Sequence, residues 1–276
     1  MFNCAGGTLL LAPPPSFGTN GALRTWFNPA FFTTSSGVVN TFYDILQPGN
    51  QPAGQYWKGT VVAPTVNPTI QNTLNGRTGL VISCPATLTA GSNTNDPCNY
   101  WNRGVLDPSP AITQNFTFFV VGSTTKTINI FSNVGSGGYV STSYLHNMIV
   151  MPYHRDTNNG VGLSIGTNGA VVIAHGSGFF PPGCNYTISL GTTPHIFAVR
   201  VTSNAPSIFI DGLTQTRVGV AFTQGVSYAG AAVSCPFYGS FNGTIGEYLI
   251  YDKALSNNDL LTVFRHLAGR YRITLV

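Results

Sequence analysis

From about residue 22 to residue 250 the chain is a succession of short β-branched and aromatic runs, each closed by Gly, Asn or Pro, and this punctuation limits what it can fold into. The first half holds Thr60-Val-Val-Ala, Gly79-Leu-Val-Ile-Ser, Phe116-Thr-Phe-Phe-Val-Val-Gly and Thr127-Ile-Asn-Ile-Phe. The second holds Asn147-Met-Ile-Val-Met-Pro, Gly160-Val-Gly-Leu-Ser-Ile-Gly, Ala170-Val-Val-Ile-Ala and His195-Ile-Phe-Ala-Val-Arg-Val-Thr. Runs of this length and composition are strands. Ser207-Ile-Phe-Ile-Asp-Gly-Leu reads as a strand entering an Asp-Gly hairpin turn, the connection that twisted antiparallel sheets prefer. So many short strands imply a sandwich or barrel, and the lack of a fixed-period repeat argues against a propeller or solenoid. The expected fold class is all-β, an antiparallel jelly-roll β-sandwich. At 276 residues it can be a single domain.

Composition agrees. Only 7% of the residues are charged and 43% are hydrophobic, yet mean hydropathy is only +0.15, so Asn, Thr, Ser and Gly carry the polarity. These residues compete with helix formation, through local hydrogen bonds or backbone entropy, and they suit turns. So few charges also depart from the charged surface that keeps a freely diffusing protein soluble. An extracellular or assembled life is expected, in which a subunit packed on its neighbours avoids burying charges at its contacts.

The net charge is +4, but the twelve Lys and Arg are scattered apart from Arg265, Arg270 and Arg272. No basic stripe interleaved with aromatics appears, so nucleic acid is not an expected partner. Those three arginines are expected on the solvated face of a C-terminal helix. The opening Met1-Phe-Asn-Cys-Ala-Gly-Gly-Thr-Leu-Leu-Leu-Ala-Pro-Pro-Pro has no basic n-region and too short an apolar stretch for a signal or membrane segment. The expectation is a signal outside this sequence or release without one, as for a virion protein freed by lysis. No other segment is apolar enough for insertion into a membrane.

Residues 1–21 read as an extended arm rich in Gly and Pro, with Pro13, Pro14 and Pro15 favouring polyproline geometry, and residues 22–276 as the domain. The arm is expected either to fray or to strap a neighbour. Cys4, Cys84, Cys98, Cys184 and Cys235 form no CxxC pair and lack a nearby His at metal-ligand spacing, so no metal site or cofactor is expected. Cys84 and Cys98 flank a polar loop that a disulfide could close, but small buried apolar residues are the preferred reading of all five.

One segment leaves the strand pattern. After Leu255, Ser256 can cap a helix whose Asp259 sits three positions on, and Leu260, Val263, Phe264 and Leu267 recur at helical spacing, with Gly269 as the stop. A short amphipathic C-terminal helix is expected on the sandwich.

Phe241-Asn-Gly-Thr-Ile-Gly-Glu-Tyr-Leu-Ile-Tyr-Asp-Lys-Ala-Leu-Ser, the helix and Gly269-Arg-Tyr-Arg-Ile together resemble the closing signature of concanavalin A-like, laminin G-like (LamG) lectin domains, with Arg272 in place of a small residue. Upstream, Leu23-Arg-Thr-Trp-Phe-Asn-Pro is similar to their opening strand and Asn72-Thr-Leu-Asn-Gly-Arg-Thr-Gly-Leu-Val-Ile to their Leu-Asn-Gly strand entry. Phe116-Thr-Phe-Phe-Val-Val looks like the central strand, and Pro194-His-Ile-Phe-Ala-Val-Arg with Ile208-Phe-Ile-Asp-Gly like the pair before the end. The resemblance spans residues 22 to 274 and implies a jelly roll in which Glu247 caps or braces the sandwich edge.

That superfamily includes glucanases, whose carboxyls come from one strand face as closely spaced Glu-x-Asp-x-Glu. Here the acids are Asp44, Asp96, Asp107, Asp156, Asp211, Glu247, Asp252 and Asp259, and the closest two, Glu247 and Asp252, are five positions apart. An odd offset places side chains on opposite faces of a regular strand. No Gly-x-Ser-x-Gly elbow, His-Glu-x-x-His helix or phosphate loop is present, and lone histidines such as His195 read as hydrogen-bonding residues. No catalytic residue is expected. A weak calcium site from Asn93, Asn95 and Asp96 stays open.

Sugar recognition needs aromatic faces beside amides or hydroxyls. Gln55-Tyr-Trp-Lys and Asn95-Asp-Pro-Cys-Asn-Tyr-Trp-Asn-Arg supply both, and Trp57, Tyr100, Trp101, Asn99 and Asn102 are the candidate carbohydrate-binding residues, although sandwich aromatics more often build core. The expected function is a non-catalytic structural or adhesive protein of an extracellular assembly, with a viral capsid decoration or fibre protein fitting best. A homo-oligomer or other virion proteins are the expected partners, with a surface glycan as a further one. The alternative is a secreted carbohydrate-binding lectin domain.

Overall fold

The structure is a computed structural model that describes residues 12–35, 38–46, 69–83, 112–130, 146–150, 160–174, 184–218, 228–229 and 241–276. In chain order the strands are β1 (Leu23–Ser35), β2 (Val38–Asp44), β3 (Thr69–Leu74), β4 (Arg77–Ile82), β5 (Phe116–Ser123), β6 (Met148–Val150) and β7 (Gly160–Gly166). They continue with β8 (Gly169–Ala174), β9 (Cys184–Thr187), β10 (His195–Thr202), β11 (Ala205–Ile210), β12 (Leu213–Thr214), β13 (Tyr228–Ala229) and β14 (Gly243–Tyr251), before helix α1 (Asn257–Tyr271).

They form two sheets, and the molecule is an antiparallel β-sandwich with a C-terminal helix. The larger sheet runs β12-β11-β10-β5-β14-β1-β2, and the β3–β4 hairpin joins it through β4. Strand β14 is the axis. One of its edges pairs with β5, while the other is shared, Gly243 to Ile245 facing β4 and Tyr248 to Tyr251 facing β1. The smaller sheet runs β13-β7-β8-β9 with β6 also on β7; its two-residue β13 is parallel to β7.

Three of the tight hairpins turn through left-handed residues. Asp211 and Gly212, between Ile210 and Leu213, have φ of 50° and 95°, and Asn75 and Gly76, between Leu74 and Arg77, have 52° and 78°. Asn-Gly and Asp-Gly reach these left-handed values at little steric cost, and such turns match the strand twist. Ser203 and Asn204 turn β10 into β11 with φ of 49° and 67°.

Alternation sorts the side chains into two cores. Phe118 and Val120 of β5, Phe197 and Val199 of β10, and Ile245, Tyr248 and Ile250 of β14 face Ile149, Leu163, Ile165 and Val172 of the smaller sheet. Their neighbours Phe119, Val121, Ile196, Ala198, Leu249 and Tyr251 point the other way, onto Leu260, Val263, Phe264, Leu267 and Tyr271 of α1. The centre of the larger sheet is thus covered on both faces, which is why β5 is buried from Phe116 to Gly122 and reads as one apolar run. At roughly 1.5–3 kcal/mol per fully buried large side chain, the two cores dominate the favourable side of folding.

Three sequence expectations are corrected. Thr127 to Ile130 form no strand: the Asn168 side chain bonds both the N–H of Ile128 (3.1 Å) and its carbonyl (2.9 Å), doing locally what a neighbouring strand would do. Ile128 and Ile130 still alternate inward, which explains the strand-like sequence. Gly269 does not stop the helix, which runs on through Tyr271 because that ring is buried in the outer core; Arg272, at φ 54°, takes the left-handed cap instead. The side-chain amide of Asn75 caps the end by donating to the carbonyls of Tyr271 (3.0 Å) and Arg272 (3.2 Å). Finally, Arg265 and Arg272 are exposed as expected, but Arg270 is turned inward.

The start of the helix follows its sequence. The Ser256 hydroxyl oxygen accepts from the N–H of Asp259 at 3.2 Å and its hydroxyl donates to the Asp259 carboxylate at 2.7 Å. The runs at Thr60, the cysteines other than Cys184, Gly135, and Asn93, Asn95 and Asp96 lie outside the described residues.

Candidate functional site

Trp57, Asn99, Tyr100, Trp101 and Asn102 lie outside the described residues. Among the described residues, ionisable side chains gather at three places besides the partly exposed Arg24–Asp252 pair.

The first lies on the outer face of the larger sheet, under α1. Between Ile245 and Tyr248 the pairing of β14 with β5 slips by one residue, a bulge that turns both Gly246 and Glu247 toward the helix. A Cβ on Gly246 would come within 2.9 Å of the Tyr271 ring and of Val121, so glycine is what lets the helix sit this close. Glu247 is 0% exposed. Its Oε2 accepts from the indole N–H of Trp26 at 2.6 Å, its Oε1 from the Arg270 guanidinium at 2.5 Å, and Tyr271 adds a further hydrogen bond. Burial pushes the carboxyl up from its ordinary value, while Arg270, Trp26 and Tyr271 pull it back. Every one of these partners is a donor, the pattern a carboxylate needs.

Glu247 is therefore a brace, as the resemblance implied, but beneath the helix on the central strand and not at a sandwich edge. Buried with both oxygens engaged, it has no route to a substrate. The partner that sequence reasoning missed is Arg270, and the signal was available: it falls three residues after Leu267 and seven after Val263, on the apolar stripe of α1.

Arg270 also reaches outward, donating to the carbonyl of Ala12 in the arm. Three residues further on, the Pro15 carbonyl accepts from the Tyr251 hydroxyl at 2.8 Å, Pro14 is buried, and the Phe17 ring lies 6.0 Å from that of Tyr251. The described end of the arm thus lies on its own domain, along the seam of β14 and α1.

The second place is a dyad of β10 and the β11–β12 turn. His195 Nδ1 is 2.5 Å from Asp211 Oδ2, and its Nε2 is 2.9 Å from the Leu190 carbonyl and 3.2 Å from the Thr193 hydroxyl. A hydroxyl, an imidazole and a carboxylate in line resemble a nucleophile relay, but the carbonyl decides otherwise. It only accepts, so Nε2 carries a proton and cannot take one from Thr193. Burial pulls the His195 pKa down, yet its bonds to Asp211 and Leu190 and the Asp211 charge outweigh burial and raise it. The dyad is a latch that favours the protonated imidazole, and the other Asp211 oxygen holds the Ile196 N–H at 2.8 Å.

The third place is one end of the sandwich, where the side chain of buried Asn147 bonds Thr124 (3.1 Å), the Ile165 carbonyl (3.0 Å) and the Asn242 N–H (2.6 Å). Beside it, burial first and Lys126 second hold the His146 pKa down to about 4. The network is spent on joining loops. No group of three or more His, Cys, Asp or Glu able to hold a metal occurs among the described residues, and no described helix is long and apolar enough to cross a membrane.

The chain is thus an all-β sandwich whose described ionisable clusters brace it. No known family profile matches the sequence, and no curated protein matches it. Among solved structures it is similar to the binding domain of botulinum neurotoxin DC in complex with rat synaptotagmin II, at 14% identity and TM-score 0.39, covering 56% of this chain and 36% of that one. It is also similar to Trypanosoma rangeli sialidase in complex with the inhibitor DANA, at 11% identity and TM-score 0.44, covering 95% and 35%. A third is botulinum neurotoxin type C, whose cell entry depends on two ganglioside molecules, at 12% identity and TM-score 0.44, covering 89% and 51%. The chain spans between a third and about half of these proteins, and likeness at this level carries no activity or ligand across.

Proposed function

We propose that this chain is a concanavalin A-like, laminin G-like sandwich that acts without catalysis, as a structural or adhesive subunit of an extracellular assembly, with a virion decoration or fibre protein as its best-fitting form. One observation carries the non-catalytic part. Each of the four acids whose side chains are described is spent on the fold: Asp211 on His195, Glu247 on Trp26 and Arg270, Asp252 on Arg24 and the Ala22 N–H, and Asp259 on the helix cap. Of the eight acids in the chain these four are thereby committed to the fold.

The same internal pairing supports assembly, because it takes charges from a surface that begins with few, and an uncharged polar surface loses little on meeting another copy. Light scattering behind size-exclusion chromatography tests this, the expected result being a discrete oligomer. A stable monomer that binds glycans on an array overturns it in favour of the second reading, a secreted carbohydrate-binding domain. That reading is favoured by the aromatic and amide side chains of Trp57, Tyr100, Trp101, Asn99 and Asn102 in the sequence, and under it Trp57→Ala or Trp101→Ala abolishes the array signal.

A further inference from the structure

The seat of the arm has the features of a polyproline-docking groove. In a polyproline helix the backbone repeats every three residues with no internal hydrogen bonds, so carbonyls three apart face one way and need outside donors. Ala12 and Pro15 are three apart, and their carbonyls meet Arg270 and Tyr251. Pro14 is buried and Phe17, which at φ −108° and ψ 16° has left polyproline geometry to enter the turn that follows, packs on the outer core. Tyr251 presents an aromatic face and a hydroxyl, and Arg270 a guanidinium 5.8 Å from the Trp26 ring. An aromatic wall with donors spaced along it is how proline-rich segments are recognised.

The segment is held to the domain through a short turn. Gly18 to Asn20 form one turn of 3-10 helix, opened by left-handed Gly18 (φ 57°) and followed by Gly21 (φ 149°), and closed by the bonds Phe17 N–H to Gly21 O at 3.0 Å and Gly21 N–H to Gly18 O at 3.1 Å. Among the described residues, the strap is held to the groove by Ala12, Pro14, Pro15 and Phe17 and to the start of β1 by one bond, in which the Ser16 hydroxyl oxygen accepts from the Leu23 N–H at 3.2 Å, whereas β1 itself is anchored by its pairing in the larger sheet. Opening this turn would carry the strap off its own domain and let it make the same contacts on another copy. Exchange of an identical segment forms no new kind of interaction, so its free-energy cost is small and concentration decides between the two arrangements.

Building on the assembly reading above, we propose that the groove formed by Trp26, Tyr251 and Arg270 is an intersubunit site whose ligand is the proline-rich segment Ala12–Phe17 of a second copy of this chain. The groove recognises the polyproline backbone, and the Gly18–Gly21 turn is the hinge that opens.

The test uses the full chain. Pro13, exposed at the rim, is replaced by a photocrosslinking benzoylphenylalanine in an isotopically light preparation and in a heavy one. The two are mixed, incubated and irradiated, the crosslinked peptides are assigned by mass spectrometry, and light scattering is recorded on the same samples. Exchange is expected to join light straps to heavy peptides containing Tyr251 or Arg270, with mixed pairs approaching about half of all crosslinks at equal mixing. An oligomer whose strap crosslinks stay within one isotope overturns the exchange and leaves the assembly reading intact. Mixed crosslinks that land away from Tyr251 and Arg270 overturn the groove as the site. A monomer with crosslinks within one isotope overturns both readings.

Discussion

The cost of a single buried charge is clearest at Glu247. Its carboxylate is tolerable only because Arg270, Trp26 and Tyr271 all donate to it. Arg270→Ala is expected to lose about 3–5 kcal/mol in urea unfolding, the cost of leaving a buried ion without its partner, and Glu247→Gln in that background to restore part of the loss by removing the charge. If Arg270→Ala alone is neutral, the pair is not the brace described. His195 acts with the opposite chemistry. Its folded pKa lies above the unfolded value, so its contribution is complete below about 6.5 and is lost as pH rises through the folded value. His195→Gln should therefore cost about 1.5–3 kcal/mol near pH 5.5, by analogy with other hydrogen bonds to charged groups, and distinctly less near pH 9. The comparison must be made against the parent at each pH. His146 and His266, both held near 4, favour protonation of the unfolded chain and lower stability as pH falls below about 6.5.

At the scale of elements, the bulge in β14 and the C-terminal helix depend on one another. Gly246 lies against Tyr271, Val121 and Leu74 with no room for a methyl group, and Gly246→Ala is expected to cost about 1–3 kcal/mol by overpacking, read as a lowered urea midpoint. Ser256→Ala removes the helix cap, for about 1 kcal/mol. A fall of similar size in both variants with an unchanged denaturant slope would mean that helix and sheet unfold together; a separate early transition in Ser256→Ala would show the helix to be an independent unit. The helix entry is tied to the sheet a second way: Arg200 donates to the Leu255 carbonyl at 3.1 Å and to Asn257 at 2.8 Å while lying over the Phe209 ring.

For the whole molecule, the consequence is a larger sheet whose central strands have no face to spare. The inner face carries the sandwich and the outer face carries the helix, with the arm along its seam. A chain ending at Asp252 would expose Trp26, Phe119, Val121, Ile196, Leu249 and Tyr251 together, a contiguous apolar surface far larger than an isolated domain normally shows. Such a truncation is expected to aggregate or to bind a hydrophobic dye strongly, and a soluble, dye-silent product would contradict the two-core description.

Local signals in the sequence determined most strands, the Asn-Gly and Asp-Gly hairpins and the Ser256 cap, because alternation, left-handed turn residues and capping hydroxyls act within a few residues of themselves. The strand pieces that carried the family resemblance all fall in the larger sheet, on β1, β3, β4, β5, β10, β11 and β14, and the two-sided burial of β5 and β14 leaves the strongest pattern there. The sequence alone did not determine that Thr127 to Ile130 would satisfy its backbone through Asn168, that the helix would run past Gly269, or that Arg270 would turn inward. Each depends on a partner distant in sequence: Asn168 for Ile128, the outer core for Tyr271, and Glu247 for Arg270. Only tertiary packing brings those partners within hydrogen-bonding distance, so the role of Glu247 as a buried brace was decided there.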